Sequence, residues 1–166
     1  ERSHVSNTVS DLGVFNKENG GIEIKAKEFS LGSEGSIESN TAFAGGGDIS
    51  ITAGESITIF GAPPDQSGTP APASIQASTP IDGGKVGALT LKAPSITLKE
   101  RGLVTSSSGS NSSDAGNILV ITDILTLKDG SQLKSNKVEG TGRAGSILNT
   151  ATDDVRLMDG SSIQSS

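Results

Sequence analysis

A three-strand unit, written five times with nearly constant offsets, is what most constrains the fold of this chain. Its clearest copy is Ala115 to Asn136, AGNILVITDILTLKDGSQLKSN. Aliphatic residues recur there at i and i+2: Ile118 and Val120, then Leu125 and Leu127, with Leu133 anchoring a third segment. That is strand periodicity with one face turned inward. Turn formers separate the segments, Thr122-Asp123 at one corner and Asp129-Gly130-Ser131 at the next.

The other copies align on this template. First-strand pairs are Ile22/Ile24, Ile49/Ile51, Leu89/Leu91, Ile118/Val120 and Ile147/Asn149, each preceded by a glycine: Gly21, Gly47, Gly87, Gly116 and Gly145. Second-strand pairs are Phe29/Leu31, Ile57/Ile59, Ile96/Leu98, Leu125/Leu127 and Val155/Leu157. Third-strand anchors are Ile37, Ile75, Val104, Leu133 and Ile163, each followed two residues on by a small residue (Ser39, Ala77, Ser106, Ser135, Ser165) suited to a narrow corner. First-to-second anchor spacings are 7, 8, 7, 7 and 8 residues, and whole repeats run 27, 40, 29 and 29. Such self-similarity marks a repeat architecture.

Windows with i, i+3, i+4 apolar spacing are few, and glycine and β-branched residues are frequent, so helices are disfavoured. Short strands repeating as a triplet predict an all-β fold: a single-stranded parallel β-helix, a three-sided β-solenoid of about five coils. Equivalent strands would stack at ~4.8 Å, giving a rod of roughly 24 Å. A sandwich would not explain why the unit recurs with matched offsets. The whole chain, residues 1–166, reads as one domain. Residues 1–19 read as a partial coil around Val9, Leu12 and Val14.

Two stretches depart from the pattern. Residues 61–74, GAPPDQSGTPAPAS, are inserted between the second and third strands of the second repeat. Proline lacks the N–H that a strand ladder needs, so this insertion must leave the sheet. It is the candidate contact loop, with Pro63, Pro64, Asp65, Gln66, Pro70 and Pro72 as its candidate contact residues, because recognition varies most on loops that project from a rigid scaffold. The reading that competes equally is a passive decoration. Residues 105–114, TSSSGSNSSD, form a polar loop between coils.

Hydrophobic residues make up only 32 % of the chain and glycine numbers 22, a composition that also suits disorder. The regular aliphatic spacing argues for a thin core repeated along an axis instead. The net charge of −6, with no Lys/Arg cluster, makes nucleic acid an unfavoured partner. With no cysteine there is neither a disulfide framework nor a thiolate metal site. No segment has the length and hydrophobicity of a membrane span, so membrane insertion is not expected. The opening ERSHVSNTVS lacks the apolar core of a signal peptide, which makes the chain, if exported, an internal piece of a longer protein.

Motifs with possible chemistry have simpler structural readings. Gly140 to Gly145, GTGRAG, matches the dinucleotide fingerprint, but a strand containing Ile147 follows where that site requires a helix. Gly45-Gly46-Gly47-Asp48 resembles half of a calcium nonapeptide but occurs once, whereas such sites draw ligands from adjacent coils. Asp153-Asp154 would point to opposite faces of a strand, and like Asp123, Asp129 and Asp159 they fall at corners. His4, the only histidine, sits near the chain start, and the phenylalanines read as core fillers. Asn40 and Asn136 occupy matching places and suggest a stacked Asn ladder. No catalytic, cofactor-binding or metal residue is assigned.

The segments GGDISITAGESITIFG (46–61), AGNILVITDILTLKDGSQLKSN (115–136) and AGSILNTATDDVRLMDGSSIQSS (144–166) resemble the repeat regions of filamentous haemagglutinin-like exoproteins of the two-partner secretion pathway. They look most like the large cyanobacterial members, and the resemblance covers residues 20–166. It implies a right-handed β-helix exported through an outer-membrane partner transporter. It also implies a secreted or cell-surface location and a non-enzymatic role as the structural or adhesive stalk of an adhesin, facing a host-cell, cell-surface or glycan ligand. The family's secretion domain precedes its repeats and is not seen here, so no transporter-recognition residue is carried over. Open terminal coils would imply truncation, or stacking of coil ends, since solenoids normally cap their edges. The alternatives are a polysaccharide lyase or hydrolase on the same fold, and the stalk of a contact-dependent toxin-delivery exoprotein. Absent Trp and Tyr, and the lack of a convergent carboxylate cluster, speak against the enzyme.

Overall fold

The computed structural model describes residues 4–9, 21–32, 35–41, 46–61, 72–79, 85–109 and 113–166. The strands in chain order are β1 (His4–Val9), β2 (Ile22–Leu31), β3 (Ser36–Thr41), β4 (Ile49–Phe60), β5 (Ser74–Thr79) and β6 (Leu89–Lys92), then β7 (Ser95–Lys99), β8 (Leu103–Ser108), β9 (Ile118–Leu127), β10 (Gln132–Lys137), β11 (Ile147–Leu157) and β12 (Ser162–Ser165). Every pairing is parallel and joins equivalent segments of neighbouring repeats. One sheet stacks the third segments in the order β1-β3-β5-β8-β10-β12. The other stacks the first and second segments as five rungs: β2, β4, β6 with β7, β9 and β11. The fold is a parallel β-solenoid, with four rung-to-rung turns between those five rungs and β1 adding part of another.

Aliphatic residues form columns down its axis. Ile22, Ile49, Leu89, Ile118 and Ile147 are successive register partners, as are Phe29, Ile57, Ile96, Leu125 and Val155. In the other sheet Ile37, Ile75, Val104, Leu133 and Ile163 stack in the same way. Ile49, Ile57, Ile75, Leu89, Ile96, Ile118, Leu125 and Leu133 are all buried. The alternation of small polar residues outward and aliphatics inward therefore needs little apolar sequence per coil, since each side chain is covered from above and below.

The corner between first and second segments is visible in the phase of burial. In β9, Ile118, Val120 and Thr122 point inward, and after Asp123-Ile124 the inward set resumes at Leu125 and Leu127. Thr122 is buried at this bend, and its hydroxyl donates to Pro94 O at 3.0 Å and Ile124 O at 2.9 Å. Repeats with eight residues between anchors carry one more residue at this bend, and the register shifts there, between Ala26 and Glu28 and between Ala151 and Asp154. In the third rung the bend falls at Ala93-Pro94, and Pro94, having no N–H, separates β6 from β7.

The second-to-third corner is a tight turn with both central residues at positive φ, as in the type I′ turn. Glu100-Arg101, Asp129-Gly130 and Asp159-Gly160 occupy it in successive coils. Arg101 N donates to Asp129 O at 2.9 Å, and Gly130 N to Asp159 O at 2.9 Å, so the turns are stacked as well as the strands.

In β1, Val5 is the register partner of Ile37 and Val9 that of Thr41, while Leu12 and Val14 lie outside the described residues. Three expectations change in detail: of the polar stretch 105–114, residues 105–108 are strand, within β8. Phe29 does face inward, but Phe60 directly follows inward Ile59 and faces outward, its ring over Gly32 and 5.4 Å from Lys99 Nζ. Asn40 and Asn136 share a column, but Ser78 and Ser107 lie between them, so the ladder is mixed; Ser78 Oγ donates to Asn40 Oδ1 at 2.6 Å.

At the last rung the inward columns emerge into solvent. Val155 is 44 % and Leu157 47 % exposed, against 0 % for Leu125 and Leu127 one rung earlier. Asn149 continues the column of Ile24, Ile51, Leu91 and Val120 there, and its Oδ1 has no hydrogen-bond partner.

Candidate functional site

The third-to-first corner carries a groove of about 840 Å³ running across successive coils. Its floor is glycine backbone. Gly47, Gly87, Gly116 and Gly145 stack so closely that a Cβ on Gly87 would overlap Gly47 O, one on Gly116 would overlap Gly87 O, and one on Gly145 would overlap Gly116 O. Only glycine permits that approach.

Serine hydroxyls from the adjoining strands tie this floor together. Ser135 Oγ donates to Gly116 O at 3.1 Å and accepts from Gly145 N at 2.8 Å, bridging two coils. Ser106 Oγ accepts from Gly116 N at 2.8 Å, and Ser165 Oγ donates to Gly145 O at 2.8 Å. Ser106, Ser135 and Ser165 thus do more than fit a narrow corner: their hydroxyls satisfy backbone groups that the tight turn removes from the strand ladders, whereas Ala77 has no hydroxyl and Ser39 Oγ is buried without a partner.

Polar side chains form the walls. Asp48 Oδ1 accepts from Ala88 N at 2.7 Å, Asp114 Oδ1 from Arg143 N at 2.6 Å, and Asn117 Oδ1 from Ser146 N at 2.8 Å. Each of these caps an amide in the next coil. Lys85, Asp114 and Arg143 each stand four residues before a first-strand anchor, so one charged residue appears per rung, with alternating sign. Lys85 and Arg143 are exposed and make no ion pair among the described residues. A polar trough with a backbone floor and charges spaced at the ~4.8 Å rise of a coil suits an extended, hydrophilic chain more than a compact apolar ligand.

The sequence-derived contact residues belong to the segment that joins β4 to β5. Pro63, Pro64, Asp65, Gln66 and Pro70 fall outside the described residues. Pro72 is described and half-buried beside fully buried Ala73. The insertion closes at its base, because a Cβ on Gly61 would lie 3.4 Å from Pro72 Cα. Ser74 N donates to Gly35 O and Leu103 N to Ala73 O, each at 2.9 Å, so the coil stack resumes at once after the insertion.

The remaining motifs take structural positions. GTGRAG (140–145) lies at an inter-coil corner followed by β11, with no helix to hold a pyrophosphate. Asp154 pairs with Arg156 Nε at 2.7 Å, and Asp123 Oδ1 accepts from Thr152 Oγ1 at 2.7 Å. No group of three or more His, Cys, Asp or Glu is placed to hold a metal ion among the described residues. None of the described residues forms a helix long and apolar enough to cross a membrane.

Fold and groove together define a parallel β-solenoid with two separate decorated corners. No protein-family model, curated protein or solved structure matches the chain.

Proposed function

We propose that this chain is part of the structural, adhesive stalk of a secreted or surface-attached filamentous haemagglutinin-like adhesin, exported through an outer-membrane partner transporter. The observation that carries this reading is the in-register stacking of five rungs, whose inward columns are fully buried in the interior coils while variation is confined to the corners. Such a molecule is stiff along its axis because each rung is hydrogen-bonded and packed on both sides. Loops and grooves carried on it are held at fixed intervals, as a multivalent contact with a glycan or cell surface requires.

Binding to immobilised glycans and to intact cells tests it with three proteins: the chain itself, a form lacking residues 62–71, and the double variant Lys85→Ala/Arg143→Ala. Loss of binding on removing the loop assigns the contact to the insertion, and loss in the double variant assigns it to the groove. Absence of binding by the parent chain to any glycan or cell surface would sink the adhesive reading. The groove also favours a second reading, a polysaccharide lyase or hydrolase on the same fold, because it brings Asp48, Lys85, Asp114 and Arg143 to one trough. Their arrangement along successive rungs, with one oxygen of each carboxylate already capping an amide, favours holding a chain over cleaving it. Release of new reducing ends or unsaturated sugars from a bound polysaccharide would reverse that preference.

A further inference from the structure

The charged residues that line the groove, among the described residues, come from successive coils: Asp48, Lys85, Asp114 and Arg143. Their signs alternate from coil to coil, and all of them are exposed. The coils are in register beside the groove, since Ile49, Leu89, Ile118 and Ile147 are successive partners. Backbone bonds carry the stack to the charged residues themselves, Gly46 N donating to Lys85 O at 2.7 Å and Ala115 N to Arg143 O at 2.9 Å. Like charges therefore recur every second coil, roughly 9.6 Å apart. The two signs are held differently. Asp48 and Asp114 each commit Oδ1 to an amide of the next coil, Ala88 N at 2.7 Å and Arg143 N at 2.6 Å, which fixes both carboxylates against the wall and leaves Oδ2 to accept from a ligand. Lys85 and Arg143 carry their charges on long stems that can follow a ligand anion.

We propose that the groove holds a linear polysaccharide with an acid on every second sugar, a reading that rests on the chain being an adhesive stalk. The ~4.8 Å rise of a coil is about the advance of one sugar along an extended pyranose chain. A carboxylate on every second sugar then meets Lys85 and Arg143. The uncharged sugars between them meet Asp48 and Asp114 with hydroxyl or amide donors. A chain acidic on every sugar gains at the two cations and is repelled at the two carboxylates, so its charge brings little net binding. An uncharged chain gains no charge contact. The groove thus selects the spacing of charge along its ligand, not the amount.

The test measures binding of the whole chain, by calorimetry at low ionic strength, to three polysaccharides of matched length: acidic on alternate sugars, acidic on every sugar, and uncharged. The first is expected to bind at least about fivefold tighter than either of the others, the upper range for one exposed charge pair. Lys85→Ala/Arg143→Ala should abolish its lead over the uncharged polymer. Asp114→Asn keeps the Oδ1 that caps Arg143 N and removes only the charge. It should raise affinity for the fully acidic polymer by about threefold and so narrow the lead of the alternating one. Added salt should shrink every one of these differences. A parent chain that binds the fully acidic or the uncharged polymer as tightly as the alternating one overturns the inference and leaves the adhesive reading standing, as does an Asp114→Asn variant whose preference is unchanged. A parent chain that binds none of the three also overturns it, and binding to other glycans and to intact cells then decides the adhesive reading separately.

Discussion

Leu125 and Val155 occupy the same column one rung apart, and the solenoid makes their truncation unequal. Leu125 has Ile96 on one side and Val155 on the other and is 0 % exposed, whereas Val155 has one register partner among the described residues, Leu125, and is 44 % exposed. Leu125→Ala removes methylene and methyl groups worth about 2 kcal/mol of transfer free energy. The cavity left between two fixed rungs raises the loss to about 3 kcal/mol. Val155→Ala removes less, from a site already in contact with water, and should cost about 1 kcal/mol or less. For a chain of this size each kcal/mol lowers Tm by roughly 2–4 °C. Leu125→Ala should therefore melt about 6–12 °C lower and Val155→Ala at most about 2–4 °C lower. Thermal melts followed by far-UV circular dichroism, with urea midpoints as a check on cooperativity, measure both. Equal losses, or a larger loss for Val155→Ala, would mean that the two residues are not consecutive members of one buried column.

Two further substitutions test the glycine floor. Gly116→Ala drives a Cβ into Gly87 O and should cost about 2 kcal/mol or more, while Gly54→Ala, whose Cβ would sit 3.8 Å from Lys27 O, should be neutral or stabilise by about 0.4–1 kcal/mol; urea midpoints compare them. Excision of the insertion should leave the fold intact if the register is restored. Sixteen residues separate Ile59 from Ile75 where six separate Leu127 from Leu133, so removing residues 62–71 restores the spacing; Gly61 is kept, because a Cβ there would overlap Glu100 O, and Pro72→Gly puts a glycine at the turn position that Gly130 holds. That variant should melt within about 4 °C of the parent by circular dichroism, and a drop beyond about 10 °C would show that the insertion packs into the coil.

The columns were legible in the sequence because one physical rule governs them. The three anchor positions are apolar in every coil, and a strand shows the inward face every second residue. The register shifts between Ala26 and Glu28 and between Ala151 and Asp154 fall where a seven-residue anchor spacing meets an eight-residue one, a signal present in the sequence that was not read as a bulge. Parity would also have placed Phe60, since it follows inward Ile59 by one residue and must face the other way. Parity could not choose between Val5 and Val9, which are four residues apart in sequence, and only the register of β1 on β3 distinguishes them. The groove was not foreseen, although its signals were present. Ser106 and Ser135 each precede a first-strand glycine by ten residues, and Lys85, Asp114 and Arg143 share one offset from their anchors. Single polar residues at a corner look like turn chemistry one repeat at a time; their meaning as a wall appears only when coils are superposed.

The two decorated corners are insulated from one another by the same geometry that makes the rod stiff. The insertion leaves between β4 and β5 and returns with Gly61 close to Pro72, so whatever its ten extra residues do, Phe60 still pairs with Lys99 and Ser74 with Leu103. The groove lies across the third-to-first corner, and its floor depends on glycine contacts and serine bridges among Gly87, Ser106, Gly116, Ser135 and Gly145. A change at one corner therefore reaches the other only through buried columns that cannot shift without opening cavities. This is why a loop excision and a groove substitution can be read as independent tests of binding: in double form their effects on stability should add, as for sites sharing no partners. A strongly non-additive pair would mean that the coil between them yields, and a yielding coil is incompatible with a stalk whose function is to hold its surfaces at fixed spacing.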